Sequence, residues 1–147
     1  MTWKPHVTVA AIIEDDGKFL MIEEISDGEC VINQPAGHLE PNEDLINAVI
    51  RETLEETAWH FTPSMITGIY QWTSPNDGKT FLRVCFTGQC DRHEAEQALD
   101  EGIIRTLWLS REDLLDAPLR SPMVLQGIDD YLAGNRYPLE LLTLVKP

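Results

Sequence analysis

Apolar residues near the N-terminus form two short runs on either side of a polar turn. The runs are "HVTVAAIIED" and "DGKFLMIEE", and they meet at Asp15-Asp16-Gly17, whose residue types favour the tight turns of hairpins. The pattern predicts two strands joined as a β-hairpin.

The second half of the chain has a similar strand-rich pattern. "MITGIYQWTS" and "KTFLRVCFTGQC" flank the turn residues 75–78, which predicts a second hairpin, and "IIRTLWL" predicts a further strand. Ser110 is expected to cap a short helix through about Asp116, and Ser121-Pro122 to open a last helix that Gly134 ends. Strands therefore outnumber helices and do not alternate strictly with them. We expect an α/β fold of the α+β kind, with a mixed sheet, rather than a doubly wound parallel sheet.

The clearest helical pattern lies between these parts, over about residues 43–57. Asn42 is the expected N-cap, and the acidic pair Glu43-Asp44 would lie favourably in the first turn. Apolar residues recur at i, i+4 and i+8, which we interpret as the stripe that faces the core: Ile46, Ile50 and Leu54.

Three glutamates share another face of this helix. At about 100° per residue, Glu52, Glu55 and Glu56 fall within an arc of roughly 100°. From Glu40 to Glu56 there are six acidic residues and one basic residue, so this segment carries −5 of the net charge of −14. A solvated face usually includes lysines at i+4, and this helix has none. Because clustered carboxylates repel one another without a cation or a proton, the face is a candidate site for Mg²⁺ or Mn²⁺, with a solvated acidic face as the alternative.

Length and composition indicate one globular domain, residues 1–147. The chain is 43% hydrophobic and 24% charged, which is ordinary for a folded domain. The apolar run from Val7 to Ile13 is too short to span a membrane and lacks the flanks of a signal peptide. We therefore expect a cytoplasmic protein without a membrane partner, either a monomer or a small homo-oligomer.

The charge balance restricts the partners. The 25 acidic residues against 11 basic ones argue against binding to a nucleic-acid polymer, which needs a basic surface. An acidic protein can still bind a small phosphorylated substrate if divalent cations lie between the two sets of negative charge.

The segment from Gly37 to Trp59 resembles the signature of the Nudix hydrolases, Gly-x5-Glu-x7-Arg-Glu-U-x-Glu-Glu-x-Gly-U, in which U is a bulky aliphatic residue. Six residues are in register with it: Gly37, Glu43, Arg51, Glu52, Glu55 and Glu56. Three positions depart from it: Thr53, Ala58 and Trp59. Outside this box, "KPHVTVA", "NQPAGHLE", "FLR", "LRSP" and "RYPLE" extend the resemblance over about residues 4–141, toward a phosphatase branch of the family.

The resemblance implies a fold and a metal site. The fold would be an α/β/α sandwich around a mixed sheet, with a loop-helix-loop catalytic motif. Glu52, Glu55 and Glu56 would supply metal ligands from the helix. The backbone carbonyl of Ala36 would add a fourth ligand, and Glu101 would add a fifth from a loop.

It also implies roles for the remaining box residues. Gly37, Glu43 and Arg51 would be structural residues that orient the ligands. Glu52 or Glu55 would act as the base for a metal-activated water that attacks phosphorus.

The resemblance implies an enzyme that releases terminal phosphate from nucleoside di- and triphosphates and from thiamine-type pyrophosphates. One alternative is a pyrophosphohydrolase of nucleotide sugars or dinucleoside polyphosphates. Another is a non-catalytic Nudix domain that senses a nucleotide, although a sensor has no need of the complete ligand set.

Further residues are candidates for substrate contacts. Arg83 and Arg120 are candidates for phosphate binding, and Trp72 for stacking on a base. We nevertheless interpret Arg83 as a surface residue of a strand and Trp72 as a core residue. His6 and His38 are interpreted as hydrogen-bonded structural residues.

Ala58 stands where the box has glycine, just past the helix. Glycine at such a position commonly adopts the left-handed conformation. Because alanine is a good helix former, we expect the helix to continue by about one residue, with the turn made near Trp59 and His60.

Overall fold

The computed structural model describes residues 2–147, which contain nine strands and three α-helices. The strands are β1 (His6–Ile12), β2 (Glu14–Asp15), β3 (Lys18–Ser26), β4 (Glu29–Asn33), β5 (Ala36–His38), β6 (Trp59–Thr73), β7 (Thr80–His93), β8 (Ile103–Leu109) and β9 (Tyr137–Pro138). The helices are α1 (Leu45–Thr57), α2 (Arg111–Leu115) and α3 (Pro122–Leu132), and a 3₁₀ turn follows at Leu139–Leu141.

The strands form two sheets. The larger is mixed, in the order β5-β1-β7-β6-β9, with β1 and β7 parallel and the other neighbours antiparallel. In the smaller sheet, β3 pairs with β2, β4 and β8, all antiparallel. The expected mixed sheet is confirmed.

Strand β1 is buried on both faces, which explains why helices lie on both sides of the larger sheet. Val9 and Ala11 belong to one apolar cluster, which includes Ala48 and Val49 of α1. The alternate residues of β1 belong to a second cluster, to which α2 and α3 contribute: Ala10 and Ile12. Since successive side chains of a strand point to opposite faces, α1 covers one face and α2 and α3 the other.

The first predicted hairpin is only partly correct. Its turn exists, with positive φ at Asp16 and Gly17 as a two-residue hairpin requires. It joins β3 to the two-residue strand β2, however, whereas β1 pairs with β5 and β7 in the other sheet. Strand β1 thus belongs to the larger sheet, and its partners on both edges come from later in the chain.

The second hairpin and the two short helices are confirmed. Strands β6 and β7 pair antiparallel up to Thr73 and Thr80. Ser110 and Ser121 cap α2 and α3, and Gly134 follows α3 with positive φ. Several short elements were not predicted, and they are β4, β5, β9, the 3₁₀ turn and the first part of β6 from Trp59 onward. None of the described helices has the length and apolar character to cross a membrane.

Candidate active site

Helix α1 begins later than predicted. Its N-cap is Asp44, whose carboxylate accepts a hydrogen bond from the Asn47 N–H at 2.7 Å. Asn42 has a φ of 63° and cannot be the cap, because a cap residue needs an extended backbone. The acidic residue Glu43 thereby lies before the helix, where its side chain is free to meet Arg51.

The predicted core-facing stripe of α1 is mostly wrong, because Ile46 is partly buried against the core cluster but Ile50 and Leu54 do not belong to it. The residues buried on this helix are Ala48, Val49, Glu52, Thr53, Glu56 and Thr57. The carboxylates thus belong to the buried face, with Glu52 only 9% and Glu56 only 7% exposed. Thr53, an unusual residue in the box, satisfies its hydroxyl by donating to the Val49 carbonyl at 2.7 Å.

Ala58 ends α1 in the left-handed conformation, contrary to our expectation. Its φ is 63° and its N–H donates to the Leu54 carbonyl at 2.9 Å. Trp59 starts β6 at once, so the chain must reverse within one residue. That requirement outweighs the helix propensity of alanine.

Strand β5 lies against the two buried glutamates and holds them in place. The Ala36 N–H donates to Oε1 of Glu56 at 2.8 Å. A β-carbon on Gly37 would lie 2.0 Å from Cδ of Glu52, so only glycine lets the strand pass so close to that carboxyl group.

Arg51 links the glutamates to the loop that precedes the helix. Its Nε donates to Glu43 at 2.7 Å, and its Nη1 donates to Glu52 at 2.9 Å and to Glu55 at 3.3 Å. Nη2 donates to the His38 carbonyl at 3.1 Å. One guanidinium therefore orients three carboxylates and the end of β5.

A fourth carboxylate reaches the cluster from the loop after β7. Ligand oxygens of Glu52, Glu55 and Asp100 all lie within 4.8 Å of one another. The loop is held on α1 because the Asp100 N–H donates to the Glu55 carbonyl at 3.0 Å. Glu101, the residue named from the sequence, lies in an exposed turn and is not part of this group. Sequence reasoning thus found the acidic loop but missed Asp100.

Burial dominates the electrostatics of the site. It raises the pKa of Glu56 to about 9, against the opposing effect of the Ala36 N–H, and the pKa of Glu52 to about 7, against Arg51. It also raises the pKa of Glu55, whereas hydrogen bonds from Arg51 hold the pKa of Glu43 below its ordinary value. At neutral pH Glu56, and in part Glu52, thus hold protons that a cation would displace. Their oxygen atoms fit a hard divalent cation.

A cavity of about 340 Å³ extends from these glutamates. At its other end Trp72 stacks on Phe81, with ring centroids 6.0 Å apart and an interplanar angle of 25°. Trp72 is only partly buried in the cavity wall, so its interpretation as a core residue is wrong.

The two arginines of the cavity differ in their surroundings. Arg83 is 4% exposed and faces the cavity, so its interpretation as a surface residue is wrong. Arg120 lies at the exposed rim, where it donates to Glu24 at 2.9 Å. His6 and His38 have ring nitrogens 3.3 Å apart, in agreement with their interpretation as hydrogen-bonded residues.

Comparison with known proteins identifies the family. The family model described as "NUDIX domain" matches residues 4–126. The chain belongs to the Nudix family. It is a hydrolase that acts on phosphoric anhydrides.

Relatives extend the similarity over nearly the whole Nudix chain. Phosphatase NudJ of Escherichia coli K12 is 43% identical over 141 residues, 95% of this chain and 92% of that protein. A solved structure of a Nudix hydrolase from Nitrosomonas europaea is 48% identical, with a TM-score of 0.95 over 97% of this chain and 98% of that one.

A more distant solved structure shares the fold alone. It is the Nudix domain of Shewanella oneidensis NrtR complexed with ADP ribose, with 20% identity and a TM-score of 0.73 over 90% of each chain. The expected Nudix sandwich is therefore confirmed.

Proposed function

We propose that this Nudix hydrolase is a Mg²⁺-dependent phosphatase that releases terminal phosphate from nucleoside di- and triphosphates and from thiamine-type pyrophosphates. The observation that carries the proposal is the convergence of Glu52, Glu55 and Asp100 beside a cavity that Glu52 lines together with the stacked rings of Trp72 and Phe81. The 43% identity to Phosphatase NudJ supports the same activity.

The carboxylates would hold one or more Mg²⁺ or Mn²⁺ ions. The proposed ligands are Glu52, Glu55 and Glu56, the backbone carbonyl of Ala36, and Asp100 in the place first expected for Glu101. A bound divalent cation would offset the charge on the phosphate oxygens and lower the pKa of a water molecule.

Side chains of the protein would carry out the proton transfer. Glu52 or Glu55 accepts a proton as water attacks the terminal phosphorus, and the bond from that phosphorus to the bridging oxygen breaks. Orthophosphate and a shortened phosphate ester leave. Arg51 contacts both candidate bases and would keep them oriented between turnovers.

The aromatic end of the cavity would hold the organic part of the substrate. Trp72 and Phe81 offer a flat apolar surface beside the cavity, which suits a purine, pyrimidine or thiazole ring. Substrates with such a ring should therefore have lower KM values than inorganic pyrophosphate.

A release assay tests the proposal. Orthophosphate and pyrophosphate release with Mg²⁺ would be measured on nucleotides, thiamine diphosphate, ADP-ribose, nucleotide sugars and dinucleoside polyphosphates. Orthophosphate from the first two groups supports the phosphatase. A nucleoside monophosphate plus a phosphorylated partner from the others indicates the pyrophosphohydrolase instead, and tight binding without turnover indicates a sensor.

A further inference from the structure

Arg83 carries a buried positive charge without a carboxylate partner. Its Nη2 donates to Oδ1 of Asn33 at 3.1 Å and to Oε1 of Gln34 at 2.5 Å, and both acceptors are neutral amides. Its Nε is buried and has no hydrogen-bond partner among residues 2–147. The nearby Cys85 supplies no counter-charge, because burial raises the pKa of that thiol.

This is unusual in so acidic a chain. Five of the seven arginines form salt bridges with carboxylates: Arg51, Arg92, Arg105, Arg111 and Arg120. Arg136 is placed over the Tyr131 ring and donates to backbone carbonyls. A buried charge without an anion is costly, and Arg83 faces a cavity from which an anion can reach it.

The partners of Arg83 are themselves held in place. Asn33 donates its amide N–H to Glu24 at 3.1 Å, and Gln34 donates to the Val124 carbonyl at 2.8 Å. Both amides therefore present their oxygens toward the guanidinium. This arrangement fixes the position of Arg83 before a ligand arrives, which is the property of a preorganised binding group.

Thr8 provides a second unpartnered group at the same place. It lies directly across from Arg83 in the parallel pairing of β1 and β7. It is 7% exposed and lines the same cavity, and its hydroxyl has no hydrogen-bond partner within the part of the chain that the structure describes. Two adjacent residues that line the cavity thus each hold a buried donor without an acceptor in the described part of the chain.

The sheet register gives their place along the cavity. Ala36, which binds Glu56, pairs with Ala10 of β1, whereas Phe81 at the aromatic end pairs with His6. Thr8 lies midway, at about 7 Å along the strand from each. The unpartnered donors therefore lie between the carboxylate end and the aromatic end.

We propose that Arg83 and Thr8 bind the phosphate group that stays attached to the organic part of the substrate. This inference rests on the proposed function, in which the terminal phosphate lies at the carboxylates and the ring at Trp72. The retained phosphate then lies between them, where its charge neutralises Arg83 and its oxygens accept from both residues.

The test compares Arg83→Met with the matched control Arg105→Met, which changes an exposed strand arginine. With ADP as substrate, Arg83→Met raises KM about tenfold while kcat changes less than about threefold. The inhibition constant of AMP rises by a similar factor, whereas that of orthophosphate stays within about twofold. Thr8→Val shifts the AMP constant in the same direction by about threefold, and Arg105→Met changes none of these values.

Calorimetric binding of AMP and thiamine monophosphate gives a readout that needs no turnover, so it separates this inference from the proposed function. If Arg83→Met does not fold, Arg83→Lys replaces it as the test variant, because lysine keeps the positive charge. Unchanged monophosphate affinity in a folded variant overturns the assignment. So does a loss confined to orthophosphate, or a wild-type protein that binds neither monophosphate at millimolar concentration.

Discussion

The backbone of Gly37 lies against the carboxyl group of Glu52, so that a β-carbon on residue 37 would lie 2.0 Å from Cδ and 2.2 Å from Oε1 of that glutamate. Gly37 pairs with Val9 of β1, which holds the strand in place. A larger residue must therefore displace the glutamate rather than the strand. The box glycine thus acts through the position of Glu52, a proposed catalytic carboxylate.

Gly37→Ala is expected to lower kcat/KM by at least about a hundredfold, because a displacement of about 1 Å at a catalytic group has that effect. The fold should persist, since one side chain can move toward the cavity. Gly127→Ala in α3 is the control, because its added methyl group would meet Ile12 at an ordinary 3.4 Å. Steady-state kinetics and thermal melts of both variants test this, and wild-type kcat/KM in Gly37→Ala would contradict it.

Glu56 gives the stability a defined pH dependence. Burial raises its pKa from an ordinary 4.5 to about 9 in the folded state. The contribution of Glu56 to the free energy of unfolding is complete below about pH 4.5, where the residue is protonated in both the folded and the unfolded state. This contribution is lost as the pH rises toward about 9. The loss is on the order of 1 kcal/mol per pH unit at most. In EDTA, the thermal midpoint should therefore fall between neutral pH and about pH 9.

Glu56→Gln should flatten that decrease, because glutamine stays neutral. The same variant should lose at least about a hundredfold in activity with Mg²⁺, since a ligand charge is removed. The exposed Glu96→Gln, which removes one charge away from the cluster, should change neither property. Thermal scans over pH provide the measurement, and an unchanged slope in Glu56→Gln would assign the pH dependence elsewhere.

Metal binding should release protons. Near neutral pH, Glu56 and part of Glu52 are protonated, and a cation binds the ionised forms. Mg²⁺ affinity should therefore increase with pH, with about one proton released per ion at neutral pH. Calorimetry in Tris and in HEPES gives the proton count from the difference in apparent enthalpy.

The same cation should raise the thermal midpoint without substrate, because it binds only the folded site. Ca²⁺ should stabilise the protein as well but support little turnover, since its coordination is larger and looser. Melting curves that do not respond to millimolar Mg²⁺, together with no proton release, would argue against a preformed site.

The parts of the site that are local in sequence could be predicted. Glu52, Glu55 and Glu56 share a helix face by spacing alone, and the short helices are capped where serine precedes them. Asp100 could not be chosen over its neighbour, because that depends on a backbone hydrogen bond to α1 from far along the chain.

The burial of Arg83 was also hidden in the sequence. "FLRVCF" lies in a strand that is apolar on both faces, so no alternation of polar and apolar residues indicated which way the arginine points. The stripe of α1 was misassigned for a related reason. The apolar stripe Ile46, Ile50 and Leu54 was expected to face the core and the glutamates to lie on another face, whereas Glu52 and Glu56 belong to the buried face.

Ala58 is a site where the protein can be stabilised. A residue with a β-carbon loses roughly 1 to 2 kcal/mol in the left-handed conformation that Ala58 adopts. Glycine relieves that strain but gives up a buried methyl group, which is about 0.8 kcal/mol. Ala58→Gly is therefore expected to gain up to about 1 kcal/mol in the free energy of unfolding, with kcat/KM unchanged.

Asn42→Gly is the matched control: its φ is also 63°, but asparagine tolerates this conformation, so the change should be smaller. Urea-induced unfolding measures the change in the free energy of unfolding for both variants, provided that their m-values are equal. A lower midpoint for Ala58→Gly would show that the buried methyl group outweighs the backbone strain.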